Sequence, residues 1–295
     1  MTKSRVRSTP ISSLLAILLV GGCAGGTEVS GLSPEPSLSP RWRSAPMRLL
    51  VLNGQEDYDN RYLSTVVVDG PGQPGPCSGV LIHPRLVLTA AHCVCPSRGK
   101  SLDSKQCLRA TNVVEYTYKR EGQGYKVIPR SGRGTVQPHE NFQVRLDDTG
   151  IVKSSTSDLA VIFLEEALGR TNIDFELPKI EPDINDDVVV VGYGLTENAE
   201  SAVDRRFFGR NKITDKGRSD LTKRNDNDVS LLFELSGAHV AAGDSGGPCF
   251  IEDGKKRWLV GITAQGDGRI SRFTSLYRHL SWLNQQLEKA KRRSL

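Results

Sequence analysis

The sequence predicts an all-β fold closed by one C-terminal helix, and three observations carry that prediction. Short apolar, β-branched runs recur between clusters of Gly and Pro, as strands do. Asp253-Gly254 stands between Phe250-Ile251 and Trp258-Leu259-Val260, a strong signal for a tight hairpin. Helical spacing is convincing only near the end, where Leu276, Leu280, Leu283 and Leu287 fall on one face. Taken in order, the expected strands lie at 65–68, 80–82, 86–88, 113–118, 159–164, 188–191 and 231–235. Residues 195–230 are polar and heavily charged and read as long surface loops. There is no internal repeat. At 295 residues, 37% hydrophobic and 25% charged, the chain can bury a core, which excludes a mainly disordered protein.

The net charge of +5 hints at a polyanion partner until its location is examined. Residues 1–50 hold six of the 39 basic and two of the 34 acidic groups, which leaves 33 against 32. A nucleic-acid partner is therefore not expected. Lys3, Arg5 and Arg7 precede the apolar run 11–20, which is too short to span a bilayer and reads as an export signal. The run ends in Val20-Gly21-Gly22-Cys23, which resembles the lipobox of bacterial lipoproteins. The resemblance implies that Cys23 is acylated and becomes the first mature residue. Ala24 follows, with no Asp there, a pattern similar to outer-membrane sorting in Gram-negative lipoproteins. The alternative is an ordinary signal peptide in which Cys23 has no role. Residues 24–46 are rich in Gly, Ser and Pro and make a flexible tether. The expected division is a signal peptide at 1–22, a lipid-anchored linker or propeptide at 23–50, and a folded domain at 51–295. Membrane contact is expected through the lipid alone. Beyond Cys23 stand Cys77, Cys93, Cys95, Cys107 and Cys249, an odd number for an exported chain that should form disulfides.

Three segments carry chemistry. Leu88-Thr89-Ala90-Ala91-His92-Cys93 ends a strand with a histidine, and Ser157-Asp158-Leu159-Ala160-Val161 starts one with an aspartate. Gly243-Asp244-Ser245-Gly246-Gly247-Pro248 sets a serine in a glycine-rich turn. A serine hydroxyl is a poor nucleophile until a base removes its proton. Imidazole has the pKa for that exchange, and a buried carboxylate fixes its tautomer and stabilises the imidazolium. Glycines let nearby amides turn toward a developing oxyanion.

With these motifs in the order His, Asp, Ser, the chain resembles a trypsin-like serine protease of the chymotrypsin fold, from about Val51 to Trp282. Val190-Val191-Gly192-Tyr193-Gly194, Phe273-Thr274 and Ser281-Trp282-Leu283 add to the likeness. The resemblance implies two antiparallel six-stranded β-barrels followed by the terminal helix. It implies an endopeptidase with His92 as general base, Asp158 as its orienting carboxylate and Ser245 as nucleophile. Gly243 and Ser245 would supply the oxyanion-hole amides. Protein or peptide substrates are implied; a cofactor or metal is not. A rival reading takes Gly243 to Gly247 as the elbow of an α/β-hydrolase, with Asp267 and His279 completing the triad. It requires alternating strands and helices, which the sequence lacks, and leaves His92 and Asp158 unused. The other alternative is an inactive protease-fold domain that binds a partner.

Further expectations follow from the resemblance. Cys77 and Cys93 match the family's disulfide beside the catalytic histidine; Cys95 and Cys107 are then expected to pair within an inserted loop, and Cys249 is left as a buried thiol. His239 occupies the base of the primary pocket, where an Asp selects Arg or Lys. Gly266 and Ser271 match its wall. Val51-Leu52-Asn53-Gly54 resembles the start of a mature chain, whose freed amine would pair with Asp244. Activation, by another protease or by the enzyme itself, would release the domain from its anchor. The departures are Ala241 in place of a disulfide cysteine, Ala264 in place of a serine near the triad aspartate, and Gln265 in place of a tryptophan. His83, His139 and His279 read as solvated residues.

Overall fold

The structure, a computed structural model, describes residues 51, 54–69, 76–96, 101–146, 152–168, 173–194, 204–218, 229–233, 237–266 and 270–293. All fall in the unit Pro46–Leu295. The expected signal peptide, the linker and Cys23 lie outside these residues, as does Asp267.

Strand β1 (Gln55–Glu56) is followed by a meander of β2 (Thr65–Val68), β3 (Cys77–His83) and β4 (Leu86–Thr89). An inserted segment carries β5 (Ser101–Asp103), and the long hairpin β6 (Ala110–Glu121) and β7 (Gly124–Pro138) follows. Then come β8 (Gln143–Leu146), β9 (Val152–Thr156) and β10 (Ala160–Leu164). Six of these close a barrel in the order β10-β4-β3-β2-β6-β7, sealed by antiparallel pairing of β10 with β7. Strands β5, β8 and β9 form a small sheet of their own. Burial explains the sequence of the barrel: β2, β4 and β10 are inaccessible along their whole lengths and are apolar almost throughout. Val66, Val80, Leu88, Val113 and Ile162 share its core.

The second body is an eight-stranded sheet. Its strands are β11 (Asp187–Gly192), β12 (Phe207–Lys212), β13 (Asp215–Arg218), β14 (Val229–Phe233), β15 (Pro248–Asp253), β16 (Lys256–Gly266) and β17 (Ser271–Ser275), joined by β1. The order is β1-β12-β11-β15-β16-β17-β14-β13, so closure into a six-stranded barrel does not appear among the described pairings. At one edge the N-terminal segment adds β1 onto β12 through Gln55↔Phe208 and Glu56↔Phe207. Strands β12 and β13 lie within the stretch expected to be all loop. Phe207-Phe208 opens β12 on buried positions, and its charged residues alternate outward as on any strand with one wet face.

A buried ion pair fastens the N-terminal segment. Arg206 and Asp57 are both inaccessible, with Nε to Oδ2 at 2.8 Å. The same guanidinium donates to the Tyr193 hydroxyl at 2.9 Å and to the Tyr116 carbonyl at 3.1 Å. Such a group tolerates burial because its donors are satisfied.

The final helix α1 spans Leu280–Arg292, after a 3₁₀ turn at Tyr277–His279. The inward face of the helix is Trp282, Leu283, Gln286 and Ala290; of the expected leucine stripe, Leu276 and Leu283 are buried and Leu287 packs on the core in part, with Leu276 lying before the turn. His139 and His279 also depart from expectation. Both are buried, their rings 5.1 Å apart, with Trp282 packed 4.8 Å from His139. Polar neighbours in sequence concealed that helix α1 folds back over this turn.

Candidate active site

Strand pairing brings the first two motifs together. In the β4–β10 register Thr89 lies opposite Ala160, so the end of one strand meets the start of the other. His92 follows on a 3₁₀ turn at Ala91–Cys93, and Asp158 precedes β10. The Asp158 carboxylate takes both groups that His92 presents. Its Oδ1 accepts the His92 backbone N–H at 2.9 Å, and its Oδ2 lies 2.7 Å from Nδ1. Asp158 is 3% exposed and the imidazole 18%, a buried anchor beneath an accessible ring. Burial pulls the His92 pKa down; the charge and hydrogen bond of Asp158 outweigh it, and the net direction is up.

The serine loop packs against the same place. Cys77 and Cys93 are joined in a disulfide, as are Cys95 and Cys107. The Cys93 sulfur lies 3.8 Å from His92 Nε2 and 3.5 Å from the Ser245 carbonyl oxygen, so imidazole and serine loop share one wall. Cys77, His92 and Cys93 sit close enough to hold a metal, but both sulfurs are consumed by the disulfide and cannot act as thiolates. Gly243 and Gly246 have φ of 97° and 82°, a backbone that disfavours a side chain. A Cβ on Gly246 would also fall 2.1 Å from Thr89 Oγ1, so glycine lets this loop press on the strand that delivers His92. Neither the Gly243 nor the Ser245 amide has an acceptor among the described residues.

Asp244 is inaccessible and surrounded by amides. Its Oδ1 accepts from Gly194 at 2.8 Å and its Oδ2 from Ala241 at 2.9 Å, and the Val51 backbone N–H also donates to it. Burial pushes its pKa up to about 6, with these three donors acting against the rise. Val51 is itself 1% exposed.

His239, Ser271 and Gly266 also come together. His239 Nδ1 lies 3.0 Å from Ser271 Oγ, which accepts the Val240 N–H at 3.0 Å. Gly266 pairs with Ser271 across β16 and β17, and a Cβ there would strike Val240 Cγ2 at 2.4 Å. Cys249 is a buried free thiol whose pKa burial drives upward. His279 lies beside His139, the two rings 5.1 Å apart. Sequence reading passed over Ser78 and took Gly194 only as part of the Val190–Gly194 likeness; the structure sets both against the serine loop. The position of Ser78 directly after Cys77 was the available signal.

These elements place the chain among the serine peptidases of the chymotrypsin fold. The family model described as Trypsin matches residues 51–283, and the chain belongs to that family. It is 27% identical to a chymotrypsin of Phaedon cochleariae over 255 residues, 81% of this chain and 83% of that protein. It is 25% identical to phenoloxidase-activating enzyme 1 of Spodoptera litura over 231 residues, covering 70% of this chain and 58% of that longer relative. Among solved structures, mouse neuropsin, a serine protease, superposes with a TM-score of 0.56 at 20% identity, covering 80% of this chain and 99% of its own.

Proposed function

We propose that this chain is a serine endopeptidase that cleaves proteins or peptides through His92, Asp158 and Ser245. The observation that carries the reading is the Asp158–His92 pair facing the Ser245 loop across the Cys93 sulfur. In this mechanism His92 takes the Ser245 proton as Oγ attacks the scissile carbonyl, and Asp158 stabilises the imidazolium. The Gly243 and Ser245 amides bind the oxyanion. Collapse breaks the C–N bond as His92 returns the proton to the leaving amine, leaving an acyl-enzyme. Water, deprotonated by His92, then hydrolyses the ester.

The primary pocket in this reading ends at His239 and Ser271, and none of the described residues assigned to it, His239, Gly266 and Ser271, carries a carboxylate to pair a substrate cation. Cleavage is therefore expected after uncharged or acidic residues. The chain is made as a zymogen, and cutting before Val51 turns the amide already bonded to Asp244 into an ammonium. Export by the leader and lipid attachment at Cys23 would hold the precursor at the outer membrane until that cut releases it. Among the described residues no helix is long and apolar enough to cross a membrane.

Hydrolysis of a peptide library by the activated enzyme and by Ser245→Ala tests the reading. The variant should lose about 10⁶-fold in kcat, because the triad acts as a unit. Near-native cleavage by the variant would overturn it, and absence of cleavage by the unaltered enzyme would favour a protease-fold binding protein.

A further inference from the structure

Ser78 is inaccessible, and its amide, hydroxyl and carbonyl are all engaged, the first two with the serine loop. Its backbone N–H donates to the Ser245 carbonyl at 2.8 Å. Its hydroxyl donates to the Gly243 carbonyl at 2.9 Å and accepts the Tyr193 N–H at 2.9 Å. Its carbonyl accepts the Thr89 hydroxyl at 2.8 Å, three residues before His92. The two residues proposed to bind the oxyanion are thus both held through their carbonyls by one residue of the opposite body. From Tyr193 the chain passes to Gly194, whose amide holds Asp244.

We infer that the Ser78 hydroxyl is a positioning group for the oxyanion hole, an inference that rests on the proposed roles of Gly243 and Ser245. Any residue could supply the backbone bond to Ser245. The hydroxyl alone bridges the Gly243 carbonyl and the Tyr193 amide. Gly243, at a φ of 97°, has no side chain to fix it, so holding its carbonyl fixes the peptide that follows it and, through the Gly243 Cα, limits how its own amide can turn. Without the hydroxyl, a buried donor and a buried acceptor both lose their partner and the loop must move to satisfy them. Ser78 touches no reacting atom, so its effect belongs to the geometry of the donors.

The test compares inhibition by a peptide aldehyde, which forms a tetrahedral oxyanion adduct on the serine, with binding of the alcohol of the same sequence. In Ser78→Ala the aldehyde should weaken about tenfold and kcat fall by a similar factor, below the roughly 10²–10³-fold seen on deleting an oxyanion donor outright. Alcohol binding and KM should stay unchanged, and Ser78→Thr should restore the aldehyde advantage. Ser78→Gly provides a second hydroxyl-free variant should Ser78→Ala fail to fold. An unchanged aldehyde-to-alcohol ratio in folded hydroxyl-free enzyme overturns this inference alone. If the unaltered enzyme binds the aldehyde no better than the alcohol, the peptidase reading falls with it.

Discussion

His92 is held between two opposing influences, burial and the Asp158 charge, and the charge prevails. The base works only when neutral, so activity should rise with pH through the raised His92 pKa. Asp158→Asn removes the charge and leaves burial acting alone. The acid limb of kcat/KM should then move to lower pH, even as the rate falls about 10⁴-fold through the wrong tautomer. An acid limb that stays in place would show that Asp158 does not set this pKa. In the pocket proposed at His239, a substrate cation would lose its water with no carboxylate to pair it among His239, Gly266 and Ser271. Peptides with Arg or Lys before the scissile bond should turn over at least about tenfold more slowly than uncharged ones of similar size. Parity between them would refute this pocket. The pairing of His92 with Asp158 was legible because each sits in a short motif with its own chemistry. Ser78 was passed over because its one mark was its place directly after Cys77, and a hydroxyl in an apolar β-run does not show which loop it faces. His139 and His279 were misjudged for the same reason: their burial comes from partners distant in sequence.

The segment from Val51 to Tyr62 joins the serine loop at one end and the Asp57–Arg206 ion pair at the other. Before cleavage, Asp244 is a buried carboxyl without a cation. Its folded pKa of about 6 exceeds the usual value near 3.9 for an unfolded Asp, so the folded state holds the proton more tightly. Stability of the uncut chain should therefore decline by about 3 kcal/mol as pH rises from 4 through 6, and level off above. Urea unfolding of uncut Ser245→Ala protein measures this slope, and Asp244→Asn should flatten it. A flat profile in the parent would mean that Asp244 is not titrating as described. Freeing the Val51 amine should also flatten the slope, since an ammonium favours the carboxylate. The contact of Val51 with Asp244 was legible from the likeness of Val51-Leu52-Asn53-Gly54 to the start of a mature chain. The pairing of β1 with β12 was not, because two residues carry no periodicity.

Across the molecule, the histidine and aspartate belong to the closed barrel and the serine to the eight-stranded sheet. The site exists only where Ser78, the Cys77–Cys93 disulfide and Thr89 meet the serine loop. The all-β class was legible from β2, β4 and β10, where burial along the whole strand leaves only Thr65 and Thr89 as polar positions. Strands β12 and β13 escaped notice because their wet faces fill the sequence with charge. The second body's topology depends on pairings between distant residues, which no local pattern encodes. The account as a whole requires that Ser245 become an activated nucleophile once Val51 is the first residue. Labelling with a fluorophosphonate, mapped by peptide and paired with N-terminal sequencing, measures that directly. The account predicts stoichiometric label on Ser245 in the species beginning Val-Leu-Asn-Gly and little in the precursor. Absence of label at Ser245 after that terminus is freed, or full labelling with residues 24–50 still attached, would contradict it.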